Sequence, residues 1–165
     1  MTVVVSDSPI RALNWLGLLP LLQQLYGDVL IPPTVARELE TPRRVDARVD
    51  LTQFPFLVIQ SPADDSRVQE LMIDLDAGES EAIALAEERD AMLLVDDASA
   101  REVAGDLGLA TVGTLRVLLL AKEDGYVPAV KPLMTRLIDE LGFFVSRKIY
   151  DAVLEAADES NDRTA

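Results

Sequence analysis

Short, uniformly apolar runs alternate along this chain with longer stretches of helical spacing. Val3-Val4-Val5, Val29-Leu30-Ile31, and the segments 56–60, 92–95 and 110–112 do not alternate between apolar and polar positions. They predict strands buried on both faces rather than strands with one wet side. After the first run, Ser6-Asp7-Ser8-Pro9 carries helix-start signals, a hydroxyl or carboxylate cap followed by an early proline. Residues 9–25 then predict a helix that Pro20, which has no N–H to donate, splits in two. Pro32-Pro33-Thr34 opens another helix, running to about Leu39. Residues 66–75 predict a helix broken by Asp76-Ala77-Gly78, and 79–89 a helix of small and apolar residues. Helices at 99–107, 114–123, 129–141 and 147–157 complete the series. Between Thr41 and Phe54 no period survives, which predicts a surface loop with a helical turn near 46–50. Strands alternating with helices give one α/β domain over residues 1–157, a mainly parallel sheet of about five strands covered by helices. The polar tail, 158–165, is expected to fray.

Composition narrows the chemistry. With 49% apolar and 27% charged residues in 165, a packed core is attainable and wholesale disorder is excluded. The chain has neither cysteine nor histidine. Disulfides, thiol nucleophiles, Ser-His-Asp triads and zinc held by Cys or His are therefore ruled out. What remains is chemistry by carboxylates, hydroxyls, Lys or Arg, or by a hard cation on oxygen ligands. Fifteen basic against 29 acidic residues give a net charge of −14, which repels nucleic acid at long range. The opening MTVVVSDSP lacks a basic segment, and no apolar run approaches the ~18 residues of a membrane span. No membrane association and a cytoplasmic location are the expectations.

Ligands of open α/β sheets bind beyond the carboxyl ends of the strands, so the residues that follow strands matter most. Asp7 follows the first strand and Asp96-Asp97 the fourth. Glu38, in VARELE, borders the buried stripe of its helix, and Glu79 and Glu81 occupy the first turn of GESEAIALA. Each has a structural alternative: an N-cap for Asp7, Asp96 and Asp97, a favourable first-turn acid for Glu79 and Glu81, a solvated side chain for Glu38. Taken together they differ. Carboxylates crowded at one crevice repel, and one of them protonates unless a cation neutralises them. Such a set points to Mg²⁺ or Mn²⁺, and an oxygen-only site suits phosphodiester hydrolysis.

In VVVSDSP, VLIPPTVARELE, LDAGESEAIALAEE and LLVDDASARE, together with GTLRVLLLAKEDGYVP, the chain resembles the PIN domain family. Within it, the chain is similar to small bacterial proteins related to virulence-associated toxins, over nearly its whole length to about residue 157. The resemblance implies a three-layer Rossmann-like fold and a metal-dependent endoribonuclease with three or four acids. Carried over by position, these acids are Asp7, Glu38, Glu81 and Asp97, with Asp96 beside the last as a further metal ligand. Glu79 is secondary, as is Ser8, which matches the hydroxyl residue after the first acid. This chain reads Asp-Ser-Pro where relatives more often have Asp-Thr-Ser-Pro, and Glu rather than Asp at 81.

The expected function is thus hydrolysis of single-stranded RNA with Mg²⁺ or Mn²⁺, as the toxin of a toxin–antitoxin pair. Arg11, Arg37, Arg43, Arg44 and Arg101 are the candidate RNA contacts, or contacts for an antitoxin protein. A homodimer is also expected, with Leu18-Leu19, Leu21-Leu22 and Leu118-Leu119-Leu120 read as core and, secondarily, as a pairing face. Trp15 and Tyr26 fit core packing better than base stacking. The alternative is a catalytically silent PIN-like binding module that uses the helices after residue 113. A receiver-type phosphoryl-transfer protein ranks low, because its acid pair follows the first strand and here the pair follows the fourth.

Overall fold

Val3, Val4 and Val5 form the central strand, β1 (Val3–Val5), and have no exposed surface. The computed structural model describes residues 1–42 and 48–159. Strands β2 (Val29–Ile31) and β3 (Leu57–Ile59) extend the sheet on one side of β1. On the other side lie β4 (Met92–Leu94) and β5 (Thr111–Val112). The order is β3-β2-β1-β4-β5 and every pairing is parallel. The register sets Val4 beside Leu30 on one edge and Leu93 on the other.

Strand alternation divides the core. Val3 and Val5 pack with Ile10 and Leu13 of α1 (Asp7–Trp15), Leu39 of α3 (Pro33–Glu40) and Leu118 of α7 (Thr114–Glu123). Met134 of α8 (Lys131–Leu141) and Leu154 of α9 (Arg147–Ala156) complete that layer. Val4 packs on the opposite side with Val68 of α4 (Asp65–Leu71), Ile83 and Leu85 of α5 (Ala77–Arg89), and Ala100 of α6 (Ala98–Asp106). The three layers are those of an α/β fold. From Ala82 to Ala86 every residue of α5 is buried, which explains why that segment shows no polar face.

The predicted elements lie where the pattern put them, with local differences. The first helix ends at Trp15, before Pro20, and Pro20 instead caps the start of α2 (Leu21–Tyr26). The helix α4 stops at Leu71 and leaves Ile73 exposed. Asp76-Ala77-Gly78 is a helix start rather than a break, because the Asp76 carboxylate accepts the Glu79 N–H at 2.8 Å and caps α5. The helical turn near 46–50 lies partly outside the described residues, and a 3₁₀ turn occupies Leu51–Gln53. Of the leucines considered for pairing, Leu19, Leu21, Leu22, Leu118 and Leu119 are buried in the chain's own core. Trp15 and Tyr26 pack against the same core.

Glu159, placed by the sequence in the fraying tail, is instead anchored. Its carboxylate accepts from Lys122 Nζ at 3.0 Å and from the Val130 and Lys131 N–H groups at 2.8 and 2.9 Å. Burial alone would raise its pKa, but these donors outweigh it and hold the group below its ordinary value. Among the described residues no helix is long and apolar enough to cross a membrane.

After β3 the chain returns to β4, on the other side of β1, so the winding direction reverses between β1 and β4. A crevice opens beyond their carboxyl ends, where open α/β sheets bind ligands.

Candidate active site

Asp7 is the first residue of α1, immediately after the fully buried β1 and the buried Ser6. Its side chain is 17% exposed, and Arg11 Nε donates to it at 3.3 Å from one turn further along. Arg11 is only 4% exposed. Its Nη2 also donates to the backbone carbonyls of Glu38 and Thr41, the latter at 2.9 Å. One buried guanidinium thereby ties Asp7 to the end of α3. That commitment inside the fold removes Arg11 from the candidate RNA contacts.

The crevice is lined by Ser6, Asp7, Ser8, Val35, Glu38, Asp76, Gly78, Glu79, Val95 and Asp97. Five acids from the starts of α1, α5 and α6 and from the middle of α3 therefore face one cleft. Asp97 caps α6 with one oxygen, accepting the Ala100 N–H at 2.9 Å. Asp76 does the same for α5. The cap role and the cleft position coexist, since a cap uses only part of a carboxylate's acceptor capacity.

Gly78 makes the crowding possible. A methyl group there would stand 2.9 Å from Glu38 Oε1 and 3.7 Å from Asp76 Oδ1. Glu38 thus approaches the backbone of α5 so closely that a side chain there would push its carboxylate aside. Glu79 carries the electrostatic consequence. Burial, and then the charges of Asp76, Asp97 and Asp7, push its carboxyl from an ordinary 4.5 up to about 7.

Three sequence assignments take other places. Glu81 lies outside the cleft lining. Its two oxygens accept from Thr34, one from the N–H at 3.1 Å and the other from the hydroxyl. Two residues along a helix are about 200° apart around its axis, so Glu79 and Glu81 cannot face the same way. Asp96 is turned to the base of α7, accepting from Thr114 N at 2.8 Å, Thr114 Oγ1 at 2.7 Å and Ser8 Oγ at 3.0 Å. Asp96 is thus engaged at the start of α7, and Ser8 bonds to it while also lining the cleft. Arg37 is exposed and donates to Thr34 Oγ1 at 2.8 Å.

Arg101 is exposed on α6, and its Nη1 lies 3.1 Å from where a Gly113 methyl would stand. Arg43 and Arg44 lie outside the described residues. Sequence reasoning missed Asp76, Gly78 and Thr34. The cap signal of an Asp before Ala-Gly-Glu was the one cue available for the first.

The profile of the PIN domain family matches residues 2–159. The chain belongs to the PIN domain family. A PilT N-terminus domain protein from the hyperthermophilic archaeon Sulfolobus solfataricus P2 is similar in structure, at 20% identity and a TM-score of 0.46 over 71% of this chain and 90% of that one. No curated protein matches the chain. PIN domains are generally nucleases and typically use a divalent metal. The cleft suits such an ion by donor chemistry: five carboxylates, no nitrogen or sulfur ligand, and a glycine that leaves room for Glu38. Among the described residues, no three acids stand close enough as placed to share one cation.

Proposed function

We propose that this PIN domain is a Mg²⁺- or Mn²⁺-dependent endoribonuclease acting on single-stranded RNA, with Asp7, Glu38, Glu79 and Asp97 holding the metal and Asp76 beside them. One observation carries the proposal. Acids from four helices gather in one cleft at the sheet's switch point, where burial first and then the charges of Asp76, Asp97 and Asp7 push Glu79 up to about 7. A fold does not gain stability from such crowding; a bound cation is what relieves it.

When bound, the cation supplies Lewis-acid activation of water and neutralises charge on the phosphoryl oxygens. The protein's own groups do the rest. Arg11 holds Asp7 and the end of α3 in place. Gly78 lets Glu38 reach the cleft. Glu79, poised near neutrality in the metal-free protein, gives up its proton when a cation arrives. Arg101, exposed one helical turn from Asp97, is the candidate for an RNA phosphate. As biological setting we propose the toxin half of a toxin–antitoxin pair in the cytoplasm, with an antitoxin protein as partner and a second copy of the chain as a further one. A dimer face would draw on residues other than the buried leucines.

A second reading, a catalytically silent binding module, is favoured by the lack of any three acids within reach of one cation among the described residues. Labelled single-stranded RNA incubated with purified protein in Mn²⁺, with EDTA and Asp7→Asn controls, separates the two. Metal-dependent cutting lost in the variant supports the nuclease. Intact RNA with Mn²⁺ still bound supports the silent module.

A further inference from the structure

We propose that Glu81 is a positioning residue: with Thr34 it latches α3 onto α5, and so sets the Glu38 carboxylate against Gly78. Its consequence for metal binding rests on the proposed metal centre; the latch itself does not.

The two helices form facing walls of the cleft, Val35 and Glu38 from α3, Gly78 and Glu79 from α5. Their relative placement decides whether Glu38 reaches the cleft, and the margin at Gly78 is already 2.9 Å from a missing methyl. The start of α3 cannot fix itself. Pro32 at the N-cap offers no side-chain acceptor and Pro33 no N–H, so Thr34 carries the first free donor of the helix. Glu81 supplies the missing acceptor from the neighbouring helix, with a charge of the sign that a helix N-terminus favours.

Both carboxylate oxygens are used, since the Thr34 hydroxyl donates its single proton to the second. That hydroxyl then has lone pairs left, and Arg37 Nη2 donates to one of them at 2.8 Å. Thr34 is thereby satisfied through both its N–H and its hydroxyl, with Glu81 accepting and Arg37 donating. Glu38 lies four residues beyond Thr34, one turn along the same helix. Pinning Thr34 therefore fixes the rotation at which Glu38 is presented. Both Glu81 oxygens are thereby directed at Thr34, and Glu81 lies outside the cleft lining.

The test compares Glu81→Gln, Glu81→Ala and Thr34→Val with Glu38→Gln, reading Mn²⁺ affinity by calorimetry and hydrogen exchange of the α3 amides. Glutamine can still accept the Thr34 N–H and donate to its hydroxyl, whereas alanine can do neither. A latch predicts roughly fivefold or greater loss of Mn²⁺ affinity in Glu81→Ala and Thr34→Val, from the loss of about one hydrogen bond's worth of ordering. It predicts near-wild-type affinity in Glu81→Gln, and a double variant, Glu81→Ala with Thr34→Val, no worse than the weaker single one. Exchange of α3 should quicken in the same two single variants and not in Glu81→Gln. Glu81→Gln losing Mn²⁺ as fully as Glu38→Gln would make Glu81 a ligand and overturn the proposal. Unchanged affinity and exchange in Glu81→Ala and Thr34→Val would overturn it equally. If the wild-type protein binds no Mn²⁺, the metal-centre proposal falls, and the exchange comparison still decides the latch.

Discussion

Replacing Glu79 by Gln tests the crowding of the cleft without any substrate. In the folded protein the Glu79 carboxyl is raised from 4.5 to about 7, first by burial and then by Asp76, Asp97 and Asp7. In the unfolded chain it ionises near its ordinary value. Between these limits the unfolded state has released its proton and the folded state has not, so stability falls as pH rises through this window. The contribution is fully present below about 4.5 and fully lost above about 7. At 1.36 kcal/mol per pH unit the full loss is at most about 3 kcal/mol, and solvent screening at a partly exposed position brings the expectation to roughly 1–3 kcal/mol. Glutamine cannot ionise, so the difference between wild type and Glu79→Gln should swing by that amount between pH 4.5 and 8. Urea unfolding in EDTA at a series of pH values measures it, and taking the difference cancels the other titrating groups, Glu159 among them. Mn²⁺ should flatten the wild-type curve, because a cation favours the ionised carboxylate. Parallel curves for the two proteins would refute the crowding argument.

Gly78→Ala should spare the fold, since alanine gains about 0.5–1 kcal/mol of helix propensity, yet displace Glu38 and lower Mn²⁺ affinity by about tenfold or more in calorimetry. Asp96→Asn should do the reverse. It disturbs three accepted hydrogen bonds and should cost roughly 1–3 kcal/mol in thermal unfolding, while Mn²⁺ affinity of the folded protein stays near wild type. Arg101→Ala should weaken binding of a single-stranded oligonucleotide and reduce the salt dependence by about 0.7 of a logarithmic unit, as expected for one lost phosphate contact. Gly113→Ala, whose methyl would meet Arg101 Nη1 at 3.1 Å, should weaken binding in the same direction.

How much of this was legible in the sequence depends on distance along the chain. The strands were legible because uniformly apolar runs have few other uses, and Pro20, Pro32 and Pro33 marked helix limits by lacking a donor. Strand ends also located Asp7 and Asp97, because the carboxyl edge of a parallel sheet is where such folds bind ligands. The choice between Glu79 and Glu81 was not legible. It depends on the rotational phase of α5, which the Asp76 cap sets two residues earlier than the apolar pattern indicated. Asp96 and Asp97 likewise diverge at one turn, the first drawn to Thr114 and the second to the cleft. Arg11 resembled a surface cation because the carbonyls that satisfy it, those of Glu38 and Thr41, lie 27 and 30 residues away. Partners at that separation leave no local trace.

The most direct measurement of the central claim is the position of Mn²⁺ in crystals of the protein, read from its anomalous scattering. The cleft between β1 and β4 should show a peak coordinated by acids from the set Asp7, Glu38, Glu79 and Asp97, with Glu81 still bonded to Thr34. A peak held instead by Glu81 or Asp96, or no peak in the cleft at Mn²⁺ concentrations that support RNA cleavage, would contradict the account.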